Sequence, residues 1–290
     1  MKRRFLFSLG VILLGVTRFG MPATGMLNVP KLVEAGAAFA IATSGSGDAV
    51  LYIVGPGQVL RRKLQLGQTA DFAPGDLYSA GHYVALLVEG SSAEQTEFEV
   101  VAARQPAGMS FFAKPSRIPV DLRQGISGVV YVFDRFHNLV LEPISVSFQL
   151  SGTGAAPERT AMTHNGVAWL KVDSATKSGA AQFQAKVGSV TGKRVVQQVP
   201  GDPCNIKISA RPSGQRIALE TDLVRDCRGN PVTDGTIVTF TENFNGSQSV
   251  VDVPLKRGVA RTDMPAHPGA VISVASGVVM GNEIRWGAGK

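Results

Sequence analysis

Asp134-Arg-Phe-His-Asn138 and Asp226-Cys-Arg-Gly-Asn230 stand 92 residues apart. The same interval carries Val146-Ser-Phe148 onto Val238-Thr-Phe240 and Gly166-Val-Ala168 onto Gly258-Val-Ala260. Matches that share one spacing mark a duplicated unit, because chance likenesses would scatter their intervals. Away from this frame the interval drifts: Ala113-Lys-Pro-Ser116 matches Ala210-Arg-Pro-Ser213 at 97 residues, and Ser178-Gly179 resembles Pro268-Gly269 at 90. Small gains and losses in connecting turns are what a shared scaffold tolerates. The chain is therefore expected to hold two copies of one domain, 104–200 and 201–290.

Within each copy β-prone runs alternate with turn residues. Val129 to Phe133 and Ile217 to Val224 each end in a turn rich in Asp, Asn and Gly. Ile144 to Leu150 and Thr236 to Thr241 follow, then Val167 to Val172 and Ala181 to Val190. Short strands at this spacing, with no apolar period of a helix between them, predict an all-β sandwich. The first third, 27–103, has the same texture, with strands expected at Ala37–Ala42, Ala49–Val54, Val59–Leu66, Tyr83–Val88 and Thr96–Ala102. Its Ser79-Ala-Gly-His-Tyr83 resembles the tyrosine corner of immunoglobulin-like folds, with Ser79 where an acid is usual and Ala85 where an antibody domain has its second Cys.

The two repeats resemble bacterial immunoglobulin-like domains of the invasin and intimin type. Asp226-Cys-Arg-Gly-Asn-Pro-Val232, Val238-Thr-Phe240, Gly258-Val-Ala260 and Gly269 follow that family's pattern. The earlier copy departs from it, with His137 in the Gly slot and Leu139 in the Pro slot. The resemblance implies tandem immunoglobulin-like sandwiches acting as passive or adhesive modules. Its motifs are structural and specify fold more closely than function.

Residues 1–26 read as an export signal: Lys2, Arg3 and Arg4 precede the apolar run Phe5–Val16, and small residues follow at Ala23-Thr24-Gly25. The run is too short for a comfortable membrane span, and an uncleaved anchor is the alternative. No integral membrane segment is expected once it is removed. The formal charge of +7, from 29 Lys and Arg against 22 Asp and Glu, falls to about +3 without Lys2, Arg3, Arg4 and Arg18, which argues against a nucleic-acid partner. The domains expected are 1–26, 27–103, 104–200 and 201–290. Prolines at Pro106–Pro119 and Pro200-Gly-Asp-Pro203 stiffen the entries to the last two, so a semi-rigid rod is expected.

Cys204 and Cys227 are the two cysteines of the chain. If Pro212-Ser-Gly214 begins a hairpin turn, they sit at adjacent strand ends, within the roughly 4.4–6.8 Å between Cα atoms that a disulfide needs. The earlier copy has Ala107 and Arg135 at these places, so both cysteines are missing together. A structural disulfide is expected.

Reactive machinery is hard to find. His82, His137, His164 and His267 have no ligand spacing with one another or with a Cys, and each reads as a solvated loop histidine. No G-x-S-x-G or phosphate loop is present. Asp226, Asn230 and Asp234 read as turn formers that bond their own backbone, since a calcium loop needs about six to eight oxygens. No catalytic residue, cofactor or metal is expected.

Trp169 is the exception to this plainness. Alternation in Val167-Ala-Trp-Leu-Lys-Val172 puts Trp169 and Lys171 opposite Ala168, Leu170 and Val172, and the repeat aligns Trp169 with Arg261, the solvent side. Trp169 and Lys171 are candidates for a partner or glycan contact; packing of the ring against a neighbouring loop or domain is the alternative. Trp286 reads as a core or edge residue. The function expected is that of a secreted or cell-envelope protein, structural or adhesive and not an enzyme. Its partner would be a cell-envelope or extracellular protein, or a glycan, and its location secreted, periplasmic or the cell surface. The alternatives are a secreted or periplasmic carbohydrate- or protein-binding module, and an accessory subunit of a surface filament or secretion apparatus.

Overall fold

The computed structural model describes residues 27–152 and 157–287; the expected export signal lies outside them. Among the described residues every regular element is a strand, and no helix is long and apolar enough to cross a membrane. The all-β class follows from the alternation already noted, one buried face per strand.

The first eight strands are β1 (Leu27–Asn28), β2 (Leu32–Glu34), β3 (Phe39–Thr43), β4 (Asp48–Gly55), β5 (Gln58–Gln65), β6 (Thr69–Phe72), β7 (Gly81–Glu89) and β8 (Ser92–Val101). They form a three-stranded sheet β1-β3-β6 and a five-stranded sheet β2-β8-β7-β4-β5. Alternate residues of β4 and β7 (Leu51, Ile53, Ala85, Leu87) are buried, and Phe39 reaches from one sheet to Phe98 on the other. Tyr83 is fully buried and donates from its hydroxyl to Gln58 Oε1 (3.1 Å), whose amide donates to the Asp76 carbonyl (3.0 Å). The ring lies against Gly55, where any Cβ would enter it.

Next come β9 (Gly108–Lys114), β10 (Arg117–Pro119), β11 (Ile126–Phe133), β12 (Ser145–Ser151), β13 (Arg159–Met162), β14 (Val167–Val172), β15 (Gly179–Val187) and β16 (Val190–Val199). They make the sheets β14-β11-β9 and β10-β16-β15-β12-β13. Phe111, Phe148 and Phe183 meet between these sheets in a core with Val130, Val146 and Val196. The single strand expected over Ala181–Val190 is instead a hairpin turning at Gly188, whose φ of 55° suits glycine. β10 adds to β16 in parallel, a pairing that no local signal announces.

The last strands are β17 (Pro203–Cys204), β18 (Ile208–Ser213), β19 (Arg216–Thr221), β20 (Arg225–Asp226), β21 (Ile237–Phe244), β22 (Ser247–Pro254), β23 (Arg261–Pro265), β24 (Val271–Ser276) and β25 (Val279–Arg285). Sheets β18-β19-β23 and β22-β21-β24-β25 enclose Ile217, Leu219, Val238, Phe240, Met264 and Val274, and β17 pairs with β20.

The chain divides into two compact units. Among the described residues, one takes in 27–33, Ala37–Asp76 and Gly81–Glu99; the other holds Glu34–Gly36, Leu77–Ala80 and the described residues from Val100 onward.

Candidate functional site

The outer face of β9-β11-β14 is built in tiers by strand register. Val129 of β11 lies opposite Phe112 on one side and Trp169 on the other. Ser127 lies opposite Lys114 and Lys171, and Tyr131 opposite Ser110 and Val167. Directly opposed residues of an antiparallel pair point the same way, so these nine side chains share one surface. Their neighbours Phe111, Val130 and Ala168 point inward and are buried. Gly128 faces inward by alternation, and there the Phe183 ring occupies the space a side chain would need, 2.8 Å from an added Cβ.

Trp169 is 66% exposed, Phe112 52% and Tyr131 38%. Phe112 meets Tyr131 edge-on with ring centroids 6.2 Å apart. Phe112, Lys114, Ser127, Val129 and Tyr131 line a shallow groove of about 540 Å³. Phe112 and Trp169 stand two strands apart, roughly 9.5 Å. The nine positions include two lysines and no acid, and Arg159 donates to the Lys171 carbonyl beside them (3.3 Å). Such a face can stack apolar rings on a ligand and pair ammonium groups with anionic oxygens.

The structure thus sets Trp169 and Lys171 on one exposed surface, with no described loop over the Trp169 ring. Phe112 and Tyr131 were not singled out by sequence. Their alternation with Phe111 and Val130 was visible, but which strand lies beside β14 depends on pairing across 36 to 46 residues, and which lies beyond it on the pairing of β9 with β11.

A second arrangement occurs twice in the unit that runs from Val100 onward. Asp134 Oδ1 accepts the backbone N–H of Phe136 (2.8 Å) and Asn138 (2.9 Å). Its Oδ2 accepts Ala103 N–H (3.0 Å) and the Asn138 amide (2.8 Å). Asp226 repeats the set with Arg228 (2.9 Å) and Asn230 (2.8 Å), then Gly201 (3.0 Å) and the Asn230 amide (2.9 Å). Each asparagine then spans outward. Asn138 donates to the Tyr78 carbonyl (2.7 Å) and accepts from Ala80 N–H (2.8 Å). Asn230 donates to the Thr176 carbonyl (2.9 Å) and accepts from Ser178 N–H (3.0 Å). His137 takes the left-handed conformation (φ 66°) that Gly229 has in the other copy (φ 81°), so replacing Gly leaves the turn intact.

Burial pushes the Asp134 and Asp226 carboxyls up. Hydrogen bonds from the asparagine amides, and from backbone N–H groups, together outweigh that and hold both below the ordinary value of 3.8. Asp234 is held down likewise by Arg257 and Gly258 N–H. These carboxylates are occupied by the chain's own donors.

Cys204 and Cys227 form a disulfide, with Cα atoms 5.0 Å apart. Trp286 packs partly buried against the last core. Two histidines depart from the solvated-loop expectation. His267 stacks on Phe244 and contacts Glu242 (3.0 Å), a carboxylate that is 2% exposed and needs a polar partner. His82 lies between Glu97 (3.4 Å) and Glu99 (3.2 Å) on an exposed face. Among the described residues no group of His, Cys, Asp and Glu is arranged to hold a metal ion.

No family model and no curated protein matches the sequence. Among solved structures the chain is similar to InvD of Yersinia pseudotuberculosis, at 14% identity and a TM-score of 0.46, covering 87% of this chain and 83% of that one. It is similar also to invasin, described as a bacterial integrin-binding protein, at 12% identity and 0.45, covering 88% of this chain and 56% of that one. The FN1–FN3 domains of chicken CNTN1 align at 12% identity and 0.35, covering 87% of this chain and 93% of that one.

Proposed function

We propose that this is an exported, non-catalytic adhesive protein of the cell envelope or surface, led by a signal at 1–26. Three immunoglobulin-like modules, 27–103, 104–200 and 201–290, present the outer face of β9-β11-β14 to an envelope or extracellular partner, protein or glycan. The observation that carries the reading is the Phe112–Val129–Trp169 tier, whose two aromatic rings are more than half exposed on one sheet face. Exposed aromatic residues grouped on a flat face mark contact sites, since each buries much area at low conformational cost. The flanking lysines favour a partner bearing carboxylates or sulfates.

The test compares the wild-type chain with Trp169→Ala and Phe112→Ala on a glycan array and on whole cells carrying anionic surface polysaccharide. Loss of at least about tenfold in binding by both variants is expected for a hot-spot pair. Binding by the wild type that neither substitution weakens would dismiss this face, and a reaction product released from any arrayed ligand would dismiss the non-catalytic reading.

A further inference from the structure

The five-stranded sheet β2-β8-β7-β4-β5 has an outer face whose centre is apolar. Register sets Val50 opposite Lys63 and Val88, Tyr52 opposite Arg61 and Leu86, and Val54 opposite Val59 and Val84. The centre of the face is therefore Val50, Tyr52 and Val54 from β4 with Val84, Leu86 and Val88 from β7. All are partly or largely exposed, while Ala49, Leu51, Ile53, Ala85 and Leu87 fill the inner face. A sheet with one face in water ordinarily alternates apolar with polar. Here the outward positions of two central strands carry no charge between Val50 and Val54 or between Val84 and Val88.

Charge lies at the two sides. On β5 are Arg61 and Lys63, neither in an ion pair among the described residues; Arg61 leans over the Tyr52 ring and donates to its hydroxyl (3.3 Å). On β8, three strands away and so roughly 14 Å across the sheet, are Glu97 and Glu99, exposed and held by His82 on this same face. The face is thus apolar in the middle, basic on one flank and acidic on the other.

We propose that this face binds a second copy of the chain. A two-fold axis lying in the face, midway between the charged flanks, turns the apolar centre onto itself. It also sets Arg61 and Lys63 of each copy against Glu97 and Glu99 of the other. A surface carrying both signs at separate places is complementary to itself under such an axis, as an isologous dimer requires. An apolar partner of other origin would leave both flanks unanswered. Four strands of about eight residues give a footprint of roughly 500 Å² on each copy, near the lower limit for a specific interface. The pair is therefore one that separates on dilution. This surface is independent of the β9-β11-β14 face, and its test does not depend on any ligand.

Sedimentation velocity over two decades of concentration, with and without residues 1–26, reads the association directly. The wild type is expected to move from monomer to dimer in both forms. Leu86→Glu places a carboxylate at the centre and is expected to weaken the dimer at least about tenfold. Arg61→Glu with Lys63→Glu acts on exposed side chains outside the core, so it reports even if Leu86→Glu misfolds. It is expected to weaken the dimer similarly, and Glu97→Lys with Glu99→Lys added to it is expected to restore association. A wild type that stays monomeric overturns the proposal. So does a dimer indifferent to Leu86→Glu or to the charge reversal, or one seen only when residues 1–26 are present.

Discussion

Asn230 Nδ2 stands 2.9 Å from Asp226 Oδ2, and both side chains are buried in the turn they close. The same amide group holds Thr176 O and Ser178 N–H, more than 50 residues back in the chain. Asn230 thereby closes its own turn and fastens a loop from the preceding sandwich, and Asn138 closes its turn and holds Tyr78 O and Ala80 N–H, which lie in its own compact unit. An Asp–Asn pair that looks like ordinary turn chemistry is also a junction.

Asn230→Ala should therefore cost more than a turn substitution. It strips the carboxylate of one donor and leaves Ser178 N–H and Thr176 O without partners. Each buried polar group so abandoned costs about 1–3 kcal/mol, partly relieved by entering water. A loss of roughly 2–3 kcal/mol in urea denaturation is expected, and Asn138→Ala should behave alike. Asn230→Asp should be no milder, because it turns the donor into a second carboxylate facing Asp226. A change within about 0.5 kcal/mol, the range of an ordinary surface site, would show that the junction bonds contribute nothing.

Acid should loosen the same turns. Asp134 and Asp226 titrate below 3.8 in the folded chain. The folded state thus binds fewer protons than the unfolded one near that pH, and the stabilisation is complete above the unfolded value of about 3.9. It is withdrawn as pH falls through the lower folded values. Urea midpoints are expected to stay level from about pH 7 to 5 and to drop below about pH 4. Asp134→Asn with Asp226→Asn should lower the plateau and flatten the drop. A residual slope should persist from Glu220, held down by Arg261, and from Asp234. An unchanged slope in the double variant would place the acid sensitivity elsewhere.

The interval between Asp134 and Asp226 revealed the duplication because both turns need an acid at the start and an amide at the end. Most long strands were legible for a similar reason, since each must bury every second residue. What Asn138 and Asn230 reach was not legible, because their partners lie outside the turn, more than 50 residues back in the chain. The face around Trp169 was half legible. Alternation pointed Trp169 and Lys171 outward, whereas placing Phe112 beside them required knowing that β9 pairs with β11. The parallel addition of β10 to β16 left no trace in local sequence.

Adjacent phenylalanines give a sharp test of the inner and outer faces of β9. Phe111 is 2% exposed and touches Phe148 and Phe183, whereas Phe112 faces water. Phe111→Ala is expected to cost about 3–5 kcal/mol. Phe112→Ala and Trp169→Ala are expected to stay near 0.5 kcal/mol, which is what makes them clean probes of binding. If Phe112→Ala destabilised as much as Phe111→Ala, the assigned face would be wrong. Gly128→Ala, which pushes a methyl toward Phe183, should cost about 1–3 kcal/mol although alanine favours no turn and strains no φ.

The disulfide gives the last expectation. Cys204 and Cys227 lie 23 positions apart, and the residues between them form the hairpin β18–β19 and the approach to the Asp226 turn. Closing a loop of that size restricts the unfolded chain and contributes about 3 kcal/mol. The bond ties the β17 and β20 ends directly beside Asp226, whose Oδ2 accepts Gly201 N–H. Cys204→Ala with Cys227→Ala should lower the stability of the last sandwich by about this amount. Hydrogen exchange should speed up in β18 and β19 and stay unchanged in β11 and β15, whose core the bond does not touch. Asn230→Ala added to the cysteine pair should cost less than the two changes separately, since both hold the same turn. Full additivity would mean that disulfide and junction act on separate parts of the domain.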